Sequence, residues 1–307
     1  MPTEEIKTLI DKLKRKPVSN CAKVYFSRRT SSKYISHRPS VTDPVQQEIL
    51  ATMLPYVSKQ LDNNAIVPYN SIGVADGEIE SMKSTQIPLV SAYIASLSDD
   101  EVFTDMGSLQ IGKIEFYCVE ISVDGEVIYL LRQFQKLKRL RKGIIAQLVN
   151  DELSIIDSDF LGIDETTDIL LYGDDVFLFN HISLERIFEY RDEFLKQTKE
   201  ALGQILTRGI IENIEQFADD CCRDIRIMKR FTQIMTKERL PLFFDNYDRV
   251  PEIVEELGLD IEFNDEGHLI YREKSQLFHI INLLSDSYFR SLIAERLGVV
   301  KTEGDTV

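Results

Sequence analysis

The stretch Lys113-Ile-Glu-Phe-Tyr-Cys-Val-Glu-Ile-Ser-Val-Asp-Gly-Glu-Val-Ile-Tyr-Leu-Leu-Arg-Gln133 decides the fold. β-branched and aromatic residues crowd both sides of Asp124-Gly125, a dipeptide that closes two-residue hairpins. Residues 143–149 form a further apolar run, turned back at Asn150-Asp151-Glu152 into residues 153–160. Residues 168–172, the turn Gly173-Asp174-Asp175 and residues 176–180 make another hairpin. The whole reads as an antiparallel β meander. The fold class is α+β, with the meander flanked by an N-terminal α/β module and a C-terminal helical region with a small hairpin. Three parts follow: residues 1–105, 106–182 and 183–307.

One interruption stands out in the meander. Between Val127 and Asn150 no acidic residue occurs, while Arg132, Lys136, Lys138, Arg139, Arg141 and Lys142 all fall there, in a chain of formal net charge −15. Phe134, Leu137 and Leu140 recur every third residue. A short helical turn would bury them and project the lysines and arginines outward. Lysine meets a phosphate as a point charge, arginine as a fork. Each phosphate neutralised releases condensed counterions, so such binding weakens steeply with salt. No helix-turn-helix, zinc finger or base-stacking aromatic set accompanies the patch, which points to sequence-independent duplex DNA contact. The plain alternative is that the basic knuckle docks on acidic parts of the same protein or of another copy.

Upstream, Lys12 to Thr42 contains nine bases and no acid. A short amphipathic helix over residues 4–16 with Ile6, Leu9, Ile10 and Leu13 inward ends at Pro17. Residues 21–27 are strand-like, and residues 28–39 read as a polar basic loop in which Arg28 and Arg29 are candidate backbone contacts. Thr42 or Asp43 caps a helix beginning at Pro44. The span 79–97 reads as one or two helices around Pro88.

Downstream, Ser183 is read as the N-cap of a long helix that ends at Gly209. A second helix spans 211–236 and carries Arg223, Arg226 and Arg230 along one face, a further candidate anion contact beside Asp219, Asp220 and Asp224. Residues 250–257 form an acidic helix and residues 259–271 a small hairpin. Helices over 275–284 and 288–297 close the chain.

Catalytic chemistry finds little purchase. His37, His181, His268 and His279 lack metal-ligand spacing, and no phosphate-binding glycine loop is present. Glu78, Glu80 and Lys83 put acids near a lysine, as restriction-type nucleases do, but on a span read as helix and without Glu-x-Lys. The pair Asp174-Asp175 fits a turn better than a metal site. We therefore expect a binding protein rather than an enzyme, with no cofactor and no metal.

Hydrophobic residues at 43% and charged residues at 28% fit a globular protein with a real core. No run approaches the ~18 consecutive apolar residues of a membrane span, so a cytoplasmic protein is expected. Cys21, Cys118, Cys221 and Cys222 show neither a disulfide framework nor a metal spacing.

The same residues carry a family resemblance. Tyr129-Leu-Leu-Arg-Gln-Phe-Gln-Lys-Leu137 leads into the basic run and Gly143. Phe160-Leu-Gly-Ile-Asp164, Thr167-Asp168-Ile169 and Asp175-Val-Phe-Leu-Phe-Asn180 follow in that order. Over roughly residues 110 to 300 the chain resembles the domain-of-unknown-function family that includes the B component of the Kiwa anti-phage defence system. The resemblance implies a cytoplasmic DNA-binding effector held at the inner membrane by a multi-spanning A component (KwaA-like). It would act on phage DNA, blocking replication or transcription, and a homo-oligomer (dimer or tetramer) is expected. It brings no catalytic residue. Two other readings stay open: a metal-dependent nuclease of the same system, and an assembly subunit whose basic patches meet acidic protein.

Overall fold

The structure, a computed structural model, describes residues 2–15, 21–31, 33–98, 101–134, 146–149, 152–155, 162–291 and 296–299. Two compact units emerge, residues 1–69 with 74–189, and residues 70–73 with 190–307.

The first unit contains α1 (Pro2–Arg15), β1 (Ala22–Arg29), β2 (Tyr34–His37), α2 (Asp43–Asn63), β3 (Ala65–Pro68), β4 (Glu78–Lys83), α3 (Pro88–Ala95), β5 (Phe116–Val123), β6 (Glu126–Gln133), β7 (Ala146–Val149), β8 (Glu152–Ile155), β9 (Ile169–Tyr172), β10 (Asp175–Leu178) and α4 (His181–Phe188). Eight of these strands make one sheet in the order β2-β1-β5-β6-β9-β10-β4-β3. All its pairings are antiparallel except β3 with β4. Thus β5-β6-β9-β10 is the expected meander. The segments 143–149 and 153–160 were read into that meander, but among the described residues β7 and β8 pair with each other and not with the eight-stranded sheet. The β5–β6 turn takes positive φ at both Asp124 (53°) and Gly125 (85°), the backbone that matches a hairpin's twist.

The sheet is covered on both faces. Val24, Phe26, Tyr117, Val119 and Leu130 share a cluster with Ile6, Leu9 and Leu13 of α1 and Met53 and Val57 of α2. On the opposite face Tyr93 of α3 packs edge-on against Phe116 at 5.0 Å and lies 6.3 Å from Phe188 of α4. A strand covered on both sides loses its inside–outside alternation, and seven of the eight residues of β5 are buried.

Several expectations are corrected. Residues 28–39 are not an open loop: β1 extends to Arg29 and pairs with β2 through Arg28↔Ile35 and Arg29↔Tyr34. The first half of the helix read over 79–97 is strand β4, which pairs with β10 through Glu80↔Leu178 and with β3 in parallel. Its acidic residues disguise it, because Glu80 is fully buried against a histidine of α4.

The second unit contains α5 (Arg191–Arg208), β11 (Ile211–Glu212), α6 (Ile214–Arg223), α7 (Ile225–Thr236), α8 (Arg239–Asp245), α9 (Val250–Leu257), β12 (Glu262–Phe263), β13 (Leu269–Ile270), α10 (Leu277–Leu284), β14 (Tyr288–Arg290) and β15 (Leu297–Val299). Its core joins Ile205, Phe217, Phe231, Leu240, Val254, Tyr271 and Ile281. The long helix expected from Ser183 is two helices. Asn180 caps α4 by accepting the Ile182 N–H at 3.2 Å, and Glu189 at φ 43° ends it. The helix expected over 211–236 is likewise split, because Asp224 is extended and caps α7 by accepting the Arg226 N–H at 2.9 Å. At Asp224 a side chain that competes for backbone N–H groups interrupts the apolar rhythm, whereas at Glu189 the left-handed backbone itself makes the break. The closing helix read over 288–297 is instead the β14–β15 pair, begun by Tyr288 and Phe289, aromatic residues that favour strands. Among the described residues no helix is long and apolar enough to cross a membrane. Cys21, Cys118 and Cys221 are buried, Cys222 is half-buried, and all four are unbridged.

Candidate nucleic-acid interface

Of the residues predicted to contact DNA, Arg28, Arg29 and Arg132 lie at one end of the eight-stranded sheet. β6 leaves the sheet there, its last tie being the Phe134 N–H donated to the Glu115 carbonyl at 2.8 Å. The chain returns by Ile163, which packs with Phe134 against the α1/α2 side of the core. Between them β7 and β8 pair antiparallel, Ala146 opposite Ile155 and Val149 opposite Glu152. Lys136, Lys138, Arg139, Arg141 and Lys142 lie outside the described residues.

The neck of this excursion is a charged clamp. Arg132 stands opposite Tyr117 on the neighbouring strand. Its Nη1 donates to Asp168 Oδ1 at 2.7 Å, and its Nε and Nη2 reach Asp164 at 3.2 and 3.0 Å. Asp168, only 2% exposed, also accepts the Gln133 backbone N–H at 2.7 Å and the Asn180 side-chain amide at 3.1 Å. Asp164 accepts from the hydroxyls of Thr166 at 2.9 Å and Tyr117 at 3.3 Å. A carboxylate this buried is retained only if its lone pairs are filled, and here they are. The charges reinforce each other. Burial works to lower the Arg132 pKa, but hydrogen bonds and charge from Asp164 and Asp168 outweigh it and raise it. Burial likewise works to raise the Asp164 pKa, but the Arg132 and Thr166 hydrogen bonds outweigh it and hold it low.

Arg28 and Arg29 occupy the same sheet end on β1, two strands from β6, about 10 Å away at ordinary strand spacing. They point to opposite faces. The Arg29 backbone N–H donates to Glu115 Oε2 at 2.9 Å, and its guanidinium pairs with Glu189. Arg28, half-buried, makes no ion pair among the described residues. Sequence reading overlooked Arg186 of α4, which donates to Gln133 Oε1 at 3.0 Å at this same end. It sits one residue after Glu185 in an unremarkable amphipathic helix, so no local charge signal marked it. The structure therefore brings Arg28, Arg29, Arg132 and Arg186 to the foot of the excursion. Carboxylates match Arg29 and Arg132, whereas Arg28 and Arg186 have none among the described residues.

The other acid–base clusters are structural in geometry. His181 Nδ1 lies 2.7 Å from Glu80 Oε2, its Nε2 lies 3.7 Å from Glu185, and its ring stacks on Tyr69 at 5.5 Å. With a carboxylate as partner, Nδ1 is the hydrogen donor. Asp175 pairs with Lys83 at 2.6 Å across β10 and β4, beside Gly173 at φ 55° in the turn. Among the described residues no group of three or more His, Cys, Asp or Glu side chains is placed to hold a metal ion.

Fold and neck together define a mixed α/β protein whose double-covered sheet carries an arginine–aspartate clamp at the two ends of a strongly basic stretch of sequence. The model of the Kiwa protein KwaB-like family matches residues 111–294, more than half of the chain and all of the clamp, and the chain belongs to that family. It is accordingly a component of the Kiwa anti-phage defence system. No curated protein and no solved structure matches it.

Proposed function

We propose that this chain binds duplex DNA largely without regard to sequence and thereby blocks replication or transcription of incoming phage DNA. It works by binding rather than catalysis, as a homo-oligomer held at the inner membrane by a multi-spanning partner of the same system. The observation that carries this reading is the run from Val127 to Asn150, six bases and no acid in a chain of net charge −15. Phosphate contact by such a cluster supplies most of the affinity in sequence-independent binding. The neck supports it, because the clamp ties both ends of the excursion to a rigid sheet, so that binding pays less to order its base. Contact falls to Lys136, Lys138, Arg139, Arg141 and Lys142, with Arg28 at the sheet end. Arg132 and Arg29, matched by carboxylates, hold the foot in place.

The test is fluorescence anisotropy with a duplex oligonucleotide across a salt series, with and without Mg²⁺. Wild type is compared with a variant in which Lys136, Lys138, Arg139, Arg141 and Lys142 are all replaced by Glu. A steep salt slope, lost in a variant whose circular dichroism is unchanged, bears the reading out. No binding at low salt overturns it and leaves the excursion as an assembly surface. Mg²⁺-dependent cleavage overturns the non-catalytic part in favour of a nuclease.

A further inference from the structure

The second unit holds a cationic feature of a different kind. Arg226 and Arg230 lie one turn apart on α7, and both guanidinium groups approach the Phe278 ring of α10, at 5.5 and 5.8 Å from its centroid. Residues four apart on a helix share a face, so both arrive from the α7 side, and Phe278 remains 37% exposed. The two arginines differ. Arg226 is satisfied by Asp224, which accepts from its Nε at 3.1 Å and its Nη2 at 2.7 Å. Arg230 has no carboxylate partner among the described residues. Its Nη1 donates to the neutral Asn282 Oδ1 at 2.5 Å, and burial pulls its pKa below the ordinary arginine value. In a chain with 51 acidic and 36 basic residues, a partly desolvated guanidinium matched by an amide and a ring but, among the described residues, by no carboxylate is an unbalanced charge. Such a charge costs stability unless an anion arrives.

An exposed aromatic ring beside an unbalanced guanidinium meets two parts of one nucleotide: the ring takes the base face and the guanidinium the phosphate. We propose that Phe278 and Arg230 form a binding site for single-stranded nucleic acid, with an unpaired base stacked on Phe278 and a backbone phosphate on Arg230. A duplex hides its base faces in its own stack, so this site selects strands that are open. Arg226, fixed by Asp224, backs the ring and stiffens the platform. The proposal rests on the DNA-binding reading only for its setting, because the residues and the ligand form differ from those of the basic excursion.

The test uses the whole chain and labelled twelve-residue oligonucleotides: thymidine, the same length with abasic sites, uridine, and a duplex. Phe278→Leu weakens thymidine binding about tenfold, the loss expected for one stacked base, while Phe278→Tyr restores it. Arg230→Gln lowers the salt slope by about 0.7, one single-strand phosphate. The abasic strand binds wild type no better than the thymidine strand binds Phe278→Leu. Duplex affinity is unchanged in all three variants, whose thermal midpoints serve as folding controls. The ratio of thymidine to uridine affinity identifies DNA or RNA as the source. Single-strand binding indifferent to Phe278→Leu overturns the site. So does a Phe278→Leu loss of equal size on single strand and duplex. The DNA-binding reading fails separately, by duplex binding that ignores charge reversal at residues 136–142.

Discussion

Arg132 of β6 and Asp168, the residue before β9, meet at 2.7 Å, and one carboxylate serves three donors there: the guanidinium, the Gln133 backbone N–H and the Asn180 amide. Removing the carboxylate takes a partner from all three and leaves the guanidinium with Asp164 alone. Asp168→Ala is expected to cost about 3–5 kcal/mol, the range for breaking a buried ion pair from one side. Urea unfolding measures it. Combining it with Arg132→Met should cost less than the two single losses added, with a coupling of at least about 1 kcal/mol between residues in direct contact.

The same clamp sets an acid limit. The Asp164 pKa lies below its ordinary 3.8, so the folded state binds protons there less readily than the unfolded chain. Its contribution is therefore fully present above about pH 3.8 and fades as pH falls through the lower folded value. Arg132 stays charged across that window. Asp164→Asn should flatten the stability curve below pH 4 relative to wild type, as read by urea midpoints at stepped pH. Half of the Asp164 side chain is exposed, so the change is modest.

Glu80 is completely buried and fixes His181 at 2.7 Å. Glu80→Ala removes the acceptor and opens a cavity, for an expected loss of about 3 kcal/mol. Glu80→Gln keeps an acceptor oxygen and should lose about 1 kcal/mol. A Glu80→Gln protein as unstable as Glu80→Ala would mean that charge, not hydrogen bonding, holds the pair.

Two glycines of one helix should respond oppositely. Gly209 ends α5 at φ 68°, and Gly209→Ala should destabilise by about 1 kcal/mol. Gly203 lies inside α5, with no atom within 4 Å of where a Cβ would sit, so Gly203→Ala should gain about 0.5–1 kcal/mol. Thermal midpoints of the two variants decide it.

The sequence displayed the hairpins clearly because their turns are chemically marked. Asp124-Gly125 and Gly173-Asp174 sit between runs of strand-forming residues, and the structure pairs β5 with β6 and β9 with β10. α1 was equally legible, since Ile6, Leu9, Ile10 and Leu13 form one stripe and all four are buried. What stayed hidden depended on partners distant in sequence. β4 reads as polar because its Glu80 is paid for by His181, 101 residues away. The neck was hidden for the same reason: Arg132 looked like one more base of the cluster, and only Asp164 and Asp168 reveal its structural work. Helix breaks at Glu189 and Asp224 were missed because the apolar rhythm crosses them without a fault. The Phe278 platform needed α7 and α10 side by side, which no local pattern announces.

The strand order has a consequence in time. β4 finds its antiparallel partner only in β10, and Lys83 bonds to Asp175 across a separation of 92 residues. During synthesis β3 and β4 therefore wait, with β-rich surface uncovered, until residue 178 has been made. By then the basic excursion has already emerged. Closing so long a loop is slow, and a half-built sheet edge is prone to wrong partners. The strand that joins the two halves of this sheet is thus β10, placed between β9 and β4, while Asp168, the residue before β9, reaches Arg132 as β9 pairs with β6. The sheet and the foot of the basic segment depend on the same β9–β10 hairpin.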